Sequence, residues 1–297
     1  MGMVPLVVVG TVALDTVRTP FGETTEALGG AASYAAYAAS FFVKPGVVAV
    51  VGDDFPDAYW SMLEGRASLE GVQRSSGKTF RWKGYYEHDM NAAHTVATQL
   101  NVFAQFKPVI PEAYRDAPFL FLANSDPVLQ RSVLEQMEKP FSILDTMNYW
   151  ITNARAQLLE TIRKVDVLLL NDAEARQLFN TPNVIAAGKQ ALSLGPRACI
   201  IKKGEHGVLL FAGKEICSLP GYPLEVVKDP TGAGDAFAGA FAAYLAKHGA
   251  GEMRKAMVYG SVLASFTVED FSLGRLKNIN VPDIEQRYRD FGRLIEF

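Results

Sequence analysis

Four short apolar runs cross the middle of the chain, each closing on a polar residue or glycine: Phe119 to Ala123 at Asn124, Ser142 to Leu144 at Asp145, Asp166 to Leu170 at Asn171, and Arg197 to Lys203 at Gly204. Leu6 to Gly10 and Val47 to Val51 have the same character. Continuous apolar runs suit strands covered on both faces, and the stretches between them complete βα units, which pair their strands in parallel. The expected fold is therefore α/β: a three-layer α/β/α sandwich with a mainly parallel central sheet, one unit spanning residues 1–297. Open sheets of this kind bind ligands at the carboxyl ends of their strands, where the polar residues recur. A different period appears at 78–87, where Thr79, Arg81 and Lys83 alternate with Phe80, Trp82 and Gly84, and again at 95–106. Period two marks strands with one open face. With the polar segment 16–26, which contains Pro20 and Gly22, they predict a small β-sheet lid with strands within 16–28 and 78–106. It either covers a pocket or pairs with a second subunit as a homodimer.

The 297 residues are 49% hydrophobic and 21% charged, the balance of a folded globular protein. A formal net charge of −3 without a dense Lys/Arg run argues against nucleic acid as a partner. The two cysteines, Cys199 and Cys217, show no zinc spacing, and Cys199 reads as a buried thiol. The apolar start, Met1 to Val12, is too short to span a bilayer and lacks a basic leader, so it reads as a buried strand and the expected location is cytoplasmic, with no membrane partner.

The chemistry centres on Asp229-Pro230-Thr231-Gly232-Ala233-Gly234-Asp235, which joins an expected strand, Leu224 to Val227, to a helix of small and aromatic residues. Gly232 and Gly234 permit positive φ and close approach, and the first turn of a helix offers unpaired N–H groups and partial positive charge to an anion. Asp235 beside such a cradle suits a base that takes a proton from an attacking hydroxyl; its other reading is a helix cap. A dinucleotide fingerprint fails because Phe237 stands where the third glycine belongs, and no P-loop is present. The stretch resembles the C-terminal signature of the ribokinase-like, or PfkB, carbohydrate kinases.

The resemblance extends over nearly the whole chain and implies ATP-dependent phosphorylation of an alcohol. Asp235 would be the general base, and the N–H groups of Gly232, Ala233 and Gly234 an anion hole. It places Asp15, Gly29, Gly30, Ser33, Tyr34 and Asn124 on the acceptor side. Asp15 and the paired glycines resemble the sugar-contacting N-terminal signature, with Tyr34 or Ser33 where many members carry Asn. Asp53 is a further acceptor-side position or a turn residue. Asn171-Asp172-Ala173-Glu174 resembles the Asn-x-x-Glu motif, which implies Mg²⁺ near Glu174 through water; a helix cap is the rival. The same resemblance puts Asn171, Lys203, Gly204, Gly207, Thr231 and Ser265 on the ATP side, and Asp229 at a monovalent-cation site, so K⁺ is an additional expectation. One departure stands out: after Asn148, many relatives carry an Arg or Lys that contacts the transferred phosphate, and here Tyr149-Trp150-Ile151 follows. The aromatic residues Tyr34, Tyr37, Trp82, Tyr149 and Trp150 keep nucleoside and cyclitol acceptors beside a simple sugar. A sensor that binds nucleotide or sugar without turnover is the alternative from another class.

Overall fold

In a computed structural model that describes residues 3–296, the apolar runs become adjacent strands of one sheet. The strands in question are β1 (Leu6–Val9), β4 (Gly46–Gly52), β5 (Ser68–Ser75), β8 (Phe119–Leu122), β9 (Phe141–Leu144), β10 (Val167–Asn171) and β11 (Ala198–Lys202), followed by β12 (Val208–Ala212) and β13 (Glu215–Leu219). Their spatial order is β13-β12-β11-β10-β9-β8-β1-β4-β5. Every pair from β5 to β11 is parallel, and only β12 and β13 add antiparallel. Met1, Gly2 and Phe297, which the sequence reading placed in the first strand and the closing tail, lie outside the described residues.

Alternate side chains of these strands enter two cores on opposite faces, because successive residues of a strand point to opposite sides. Val8, Phe121, Ile143, Leu169 and Ile200 pack with α1 (Ala31–Ala39), α8 (Ala233–His248), α9 (Met253–Thr267) and α10 (Val281–Arg293). Val7, Leu120, Leu144, Leu168 and Ile201 pack on the other face with α3 (Pro127–Leu134), α4 (Asn148–Asn153), α5 (Arg155–Ile162), α6 (Asp172–Phe179) and α7 (Val184–Ser193). The remaining helix, α2 (Asp57–Glu64), lies between β4 and β5 in the chain. Each fully buried aliphatic side chain contributes about 1.5–3 kcal/mol, so truncating Leu169, which has no exposed surface, to Ala costs about 2–5 kcal/mol.

The alanines of α1 are explained by contact with α8. A Cβ added to Gly239 would stand 2.1 Å from the carbonyl oxygen of Ala35, so the two helices touch backbone to backbone. That contact fixes the start of α8 against the start of α1.

A second sheet of order β3-β2-β6-β7 stands off the first, with β2 (Ala13–Thr19), β3 (Gly22–Gly29), β6 (Phe80–Tyr86) and β7 (Ala93–Gln99). It is mixed: β2 and β6 run parallel, and the outer pairs run antiparallel. Its limits differ from the expected 16–28 and 78–106. The strand begins at Ala13, so Asp15 belongs to this small sheet rather than to a loop beyond β1, and Asn101–Gln105 is a 3-10 turn. Leu224 to Val227 is not a strand. Pro220, Pro223 and Pro230 cannot donate to a ladder, and the N–H groups of Lys228 and Asp229 instead reach the carbonyl of Val268. The closing helix, α10, starts at Val281 behind a capping box of Asn280 and Asp283.

Candidate active site

The strand period decides what the carboxyl edge of the large sheet offers. Ile143, Leu169 and Ile200 all face α8, so the residues two positions on, Asp145, Asn171 and Lys202, continue that face beyond the last buried layer. Gln130 of α3 aligns two of the strand ends, donating from Nε2 to the carbonyls of Ala123 and Asp145 at 3.0 Å each. Lys202 Nζ donates to Asp145 Oδ2 at 2.7 Å. Asp145 Oδ1 accepts from the N–H of Thr146. Burial works against the charge of Lys202, yet Asp145 and Glu174 outweigh it and hold the ammonium above its ordinary range.

Above this edge starts α8. Gly232 is its N-cap with φ 77°, a left-handed conformation, and a Cβ there would stand 2.4 Å from the ring of Tyr34. The tyrosine therefore forms the floor of the loop, buried to 2% exposure. Thr231 donates its N–H to Asp229 Oδ1 at 2.9 Å, which fixes the loop that enters the helix. Asp235 lies in the first turn, and its carboxylate makes no hydrogen bond among the described residues. Burial in the cleft pushes its pKa up to about 7, the Asp145 carboxylate adds to the rise, and Lys202 opposes it. The cap reading of Asp235 is thereby corrected: Gly232 caps the helix, and no side-chain cap bond is made.

From the other side comes the small sheet. Asp15 Oδ2 accepts from the N–H of Gly30 at 3.3 Å, while Oδ1 is buried without a partner. Gly29 leaves the space for that carboxylate, since a Cβ would lie 1.9 Å from Asp15 Oδ2; Gly30, at φ 89°, turns the chain into α1. Burial raises Asp15 to about 7 against the lowering effect of the Gly30 bond, and the charges of Asp235 and Asp229 add to it. Asp15 of the small sheet thus stands near enough to Asp235 of α8 for the second charge to act on the first. Tyr86 of β6 meets the glycine loop: the Thr231 hydroxyl donates to Tyr86 Oη at 3.3 Å. Period two in 80–86 put residues alternately on the covered face, but nothing in the sequence paired Tyr86 with Thr231.

The other expected residues fall into place less uniformly. Asn171 and Glu174 form a complete capping box, with Glu174 Oε2 accepting from the Asn171 N–H and Asn171 Oδ1 from the Glu174 N–H, both at 2.7 Å. The helix-cap rival is therefore real, and Glu174 retains Oε1. Burial lifts Glu174 to about 7, with Asp145 adding to it. Asn124 is committed to the aromatic turn after β9: its Oδ1 accepts from Trp150 Nε1 at 3.1 Å. Ser33 is fully buried with its Oγ unpartnered. Gly204 and Gly207 take positive φ in the β11–β12 hairpin. Lys203 has left the strand, whereas Lys202, missed by the sequence reading, points toward α8. The signal for it was available in the alternation that puts Ile200 and Lys202 on one face. Ser265 of α9 donates to the carbonyl of Val262 and accepts from Arg287. Asp53 is tied to Gly77, 24 positions away, its N–H donating to the Gly77 carbonyl and its Oδ2 accepting from the Gly77 N–H. Tyr37 is in the core, and Trp82 lies across Gly84 within the small sheet, its indole N–H donating to Thr95 Oγ1.

Residues 6–278 match the family model described as pfkB family carbohydrate kinase. The chain belongs to this family. It is 32% identical over 248 residues to the cytidine kinase of Thermococcus kodakarensis, covering 81% of this chain and 88% of that one. The crystal structure of ribokinase from Thermotoga maritima has a TM-score of 0.76 at 22% identity, covering 98% of this chain and all of that one, 100%. A nucleoside kinase of Burkholderia thailandensis in complex with inosine gives 0.78 at 20% identity, with 96% and 98% covered. At those identities the structures establish the shared fold.

Kinases of the PfkB family use ATP, typically with Mg²⁺. The donor set of this PfkB chain suits that ion when most of its shell is water: no group of three or more His, Cys, Asp or Glu is arranged as a metal cage among the described residues, and Glu174 offers one free carboxylate oxygen beside Asn171. Asp229 Oδ2 is buried without a partner where its loop meets Val268. No helix among the described residues is long and apolar enough to cross a membrane.

Proposed function

We propose that this kinase transfers the γ-phosphoryl group of ATP to a primary hydroxyl of a nucleoside, with a cytidine-like pyrimidine nucleoside first in line. The observation that carries phosphoryl transfer to an alcohol is the pairing of Asp15 with Asp235, both raised to about 7 and both holding a carboxylate oxygen without a protein donor. Asp15 binds acceptor hydroxyls through its free Oδ1. Asp235 takes the proton of the attacking hydroxyl as its oxygen bonds to phosphorus and the bond to the β-phosphate oxygen breaks, releasing ADP. The N–H groups of Gly232, Ala233 and Gly234 stabilise charge on the transferring group. Mg²⁺ held near Asn171 and Glu174 neutralises phosphate charge when bound. Tyr86, which meets Thr231 beside the glycine loop, offers aromatic surface to a nucleobase, and the long alignment with a cytidine kinase supports the same acceptor. A free pentose is the second reading, supported by 36% identity over 118 residues, 40% of this chain, to the ribokinase of Bacillus subtilis.

The test is acceptor-dependent ADP release with Mg²⁺-ATP, with and without K⁺, across nucleosides, pentoses, sugar phosphates and cyclitols. Asp235→Asn serves as the blank and loses about 10²–10⁴ in kcat, the usual contribution of a positioned base. In the active pairing, kcat/KM rises with pH through about 7 as Asp235 ionises. Binding of nucleoside and ATP with no ADP formed would establish the sensor instead and refute the kinase reading.

A further inference from the structure

We propose that Lys202, at the end of β11, is the cation that meets the phosphoryl group in transfer, filling the role left open by Tyr149-Trp150-Ile151 after Asn148. The inference rests on the kinase reading above and deepens it. The turn after Asn148 cannot supply the charge: it contains no Arg or Lys, and Trp150 is anchored to Asn124 through its indole N–H. Lys202 reaches the other side of the same cradle. Its Nζ lies 3.2 Å from where a Cβ on Gly234 would stand, directly against the first turn of α8, so the bare glycine is what opens the anion hole to the ammonium.

The bonding of that ammonium is incomplete. An ammonium carries three donors, and among the described residues Nζ makes one hydrogen bond, to Asp145 Oδ2. Its side chain is 17% exposed and that of Asp145 is 5% exposed, so the lysine keeps some open surface while its Nζ stands against Gly234. Around this single positive charge stand the carboxylates of Asp145, Glu174 and Asp235. Such a site repels a phosphate unless a cation faces it, and Lys202 is the one whose position satisfies both the acids and the incoming group. In this role Nζ donates hydrogen bonds to a nonbridging phosphoryl oxygen; it forms no bond to phosphorus and transfers no proton.

The alternative is a purely structural ion pair that keeps Asp145 in place. Lys202→Met, Asp145→Asn and the double variant separate the two, since the double replaces a buried pair with neutral groups. As the phosphoryl contact, Lys202→Met lowers kcat by about 10²–10³, the range for removing one donor to a developing anion, while acceptor KM changes less than about threefold. The double variant is then slower than Asp145→Asn by a similar factor, and Lys202→Arg recovers part of the rate. The unmodified enzyme is expected to bind ADP more tightly with aluminium fluoride, and Lys202→Met to retain ADP binding but lose that tightening. That readout does not depend on turnover, and thermal unfolding confirms that each variant is folded. A double variant equal to Asp145→Asn, or aluminium fluoride binding unchanged in Lys202→Met, overturns the inference and leaves the kinase reading intact. A wild-type protein without acceptor-dependent ADP release, tested in the same panel, overturns both.

Discussion

The carboxyl edge of the large sheet and the small sheet above it are held in different ways. At the edge, each polar residue sits two places beyond a fully buried one, Asp145 after Ile143, Asn171 after Leu169, Lys202 after Ile200. Packed layers on both faces dictate where these side chains stand. The small sheet has one face in solvent: β7 is exposed along nearly its whole length, with Val96 at 58%. Its hydrogen bonds to the phosphate loop and the loop after α9 are few, from Thr19 to the Lys228 carbonyl, from Ser272 to the Leu28 carbonyl and from Thr231 to Tyr86. In the proposed function the rigid edge would carry the chemistry and the loosely tied sheet the acceptor, so that acceptor range could change through the small sheet without disturbing the phosphate side.

The largest effect that this division predicts is the split between its two aspartates. Asp235→Asn acts on kcat by the factors given above, whereas Asp15→Asn acts mainly on acceptor KM, raising it about ten- to a hundredfold, the loss of one charge-assisted hydrogen bond at about 1.5–3 kcal/mol. Steady-state kinetics with the acceptor from the screen decides it; equal losses of kcat in both variants would break the comparison. Between these two lies the Lys202 series, which belongs to the rigid edge and is expected to spare acceptor KM.

Asp15 also makes a smaller, thermodynamic prediction. Its carboxyl titrates at about 7 in the folded protein against 3.8 in the ordinary state. An acid with a raised folded pKa favours folding fully below 3.8; this contribution is lost progressively as pH rises to about 7 and stays absent above it. At about 1.4 kcal/mol per pKa unit, the loss is at most about 4 kcal/mol. Asp15→Asn removes that dependence, so its unfolding temperature gains on the wild type between pH 5 and pH 8, as about this linkage requires. A wild type that gains on the variant over that interval would contradict the burial of an uncompensated charge at Asp15.

The same division explains what the sequence disclosed. The parallel sheet, its site edge and the glycine loop were legible because buried strands announce themselves as apolar runs, and because Gly232, Gly234 and Asp235 lie within one short stretch. The limits of the small sheet were not, since Ala13 and Leu14 look like continuations of the N-terminal core run although they pair with Gly29 and Leu28. Lys203 was favoured over Lys202 because a Lys-Gly turn draws attention to the residue beside the glycine, while the face of the strand selects the one before it. Leu224 to Val227 misled through composition alone; its prolines carried the stronger signal. Tyr86 was out of reach because its partner, Thr231, is separated from it by 145 positions.

That distant contact makes the smallest and most specific prediction. Tyr86 joins the small sheet to the loop that enters α8, through one hydrogen bond at 3.3 Å donated by Thr231. Tyr86→Phe keeps the ring and removes the acceptor oxygen, at a cost of about 0.5–1.5 kcal/mol for a neutral hydrogen bond, so activity falls about two- to tenfold. If the bond fastens a closed lid, the loss appears together with acceptor-independent ADP release, because water reaches the phosphate when the sheet lifts. The ratio of ADP formed to acceptor phosphorylated measures this directly: a ratio of one in Tyr86→Phe would show that closure does not depend on the contact, and would leave Tyr86 as a wall of the acceptor pocket alone.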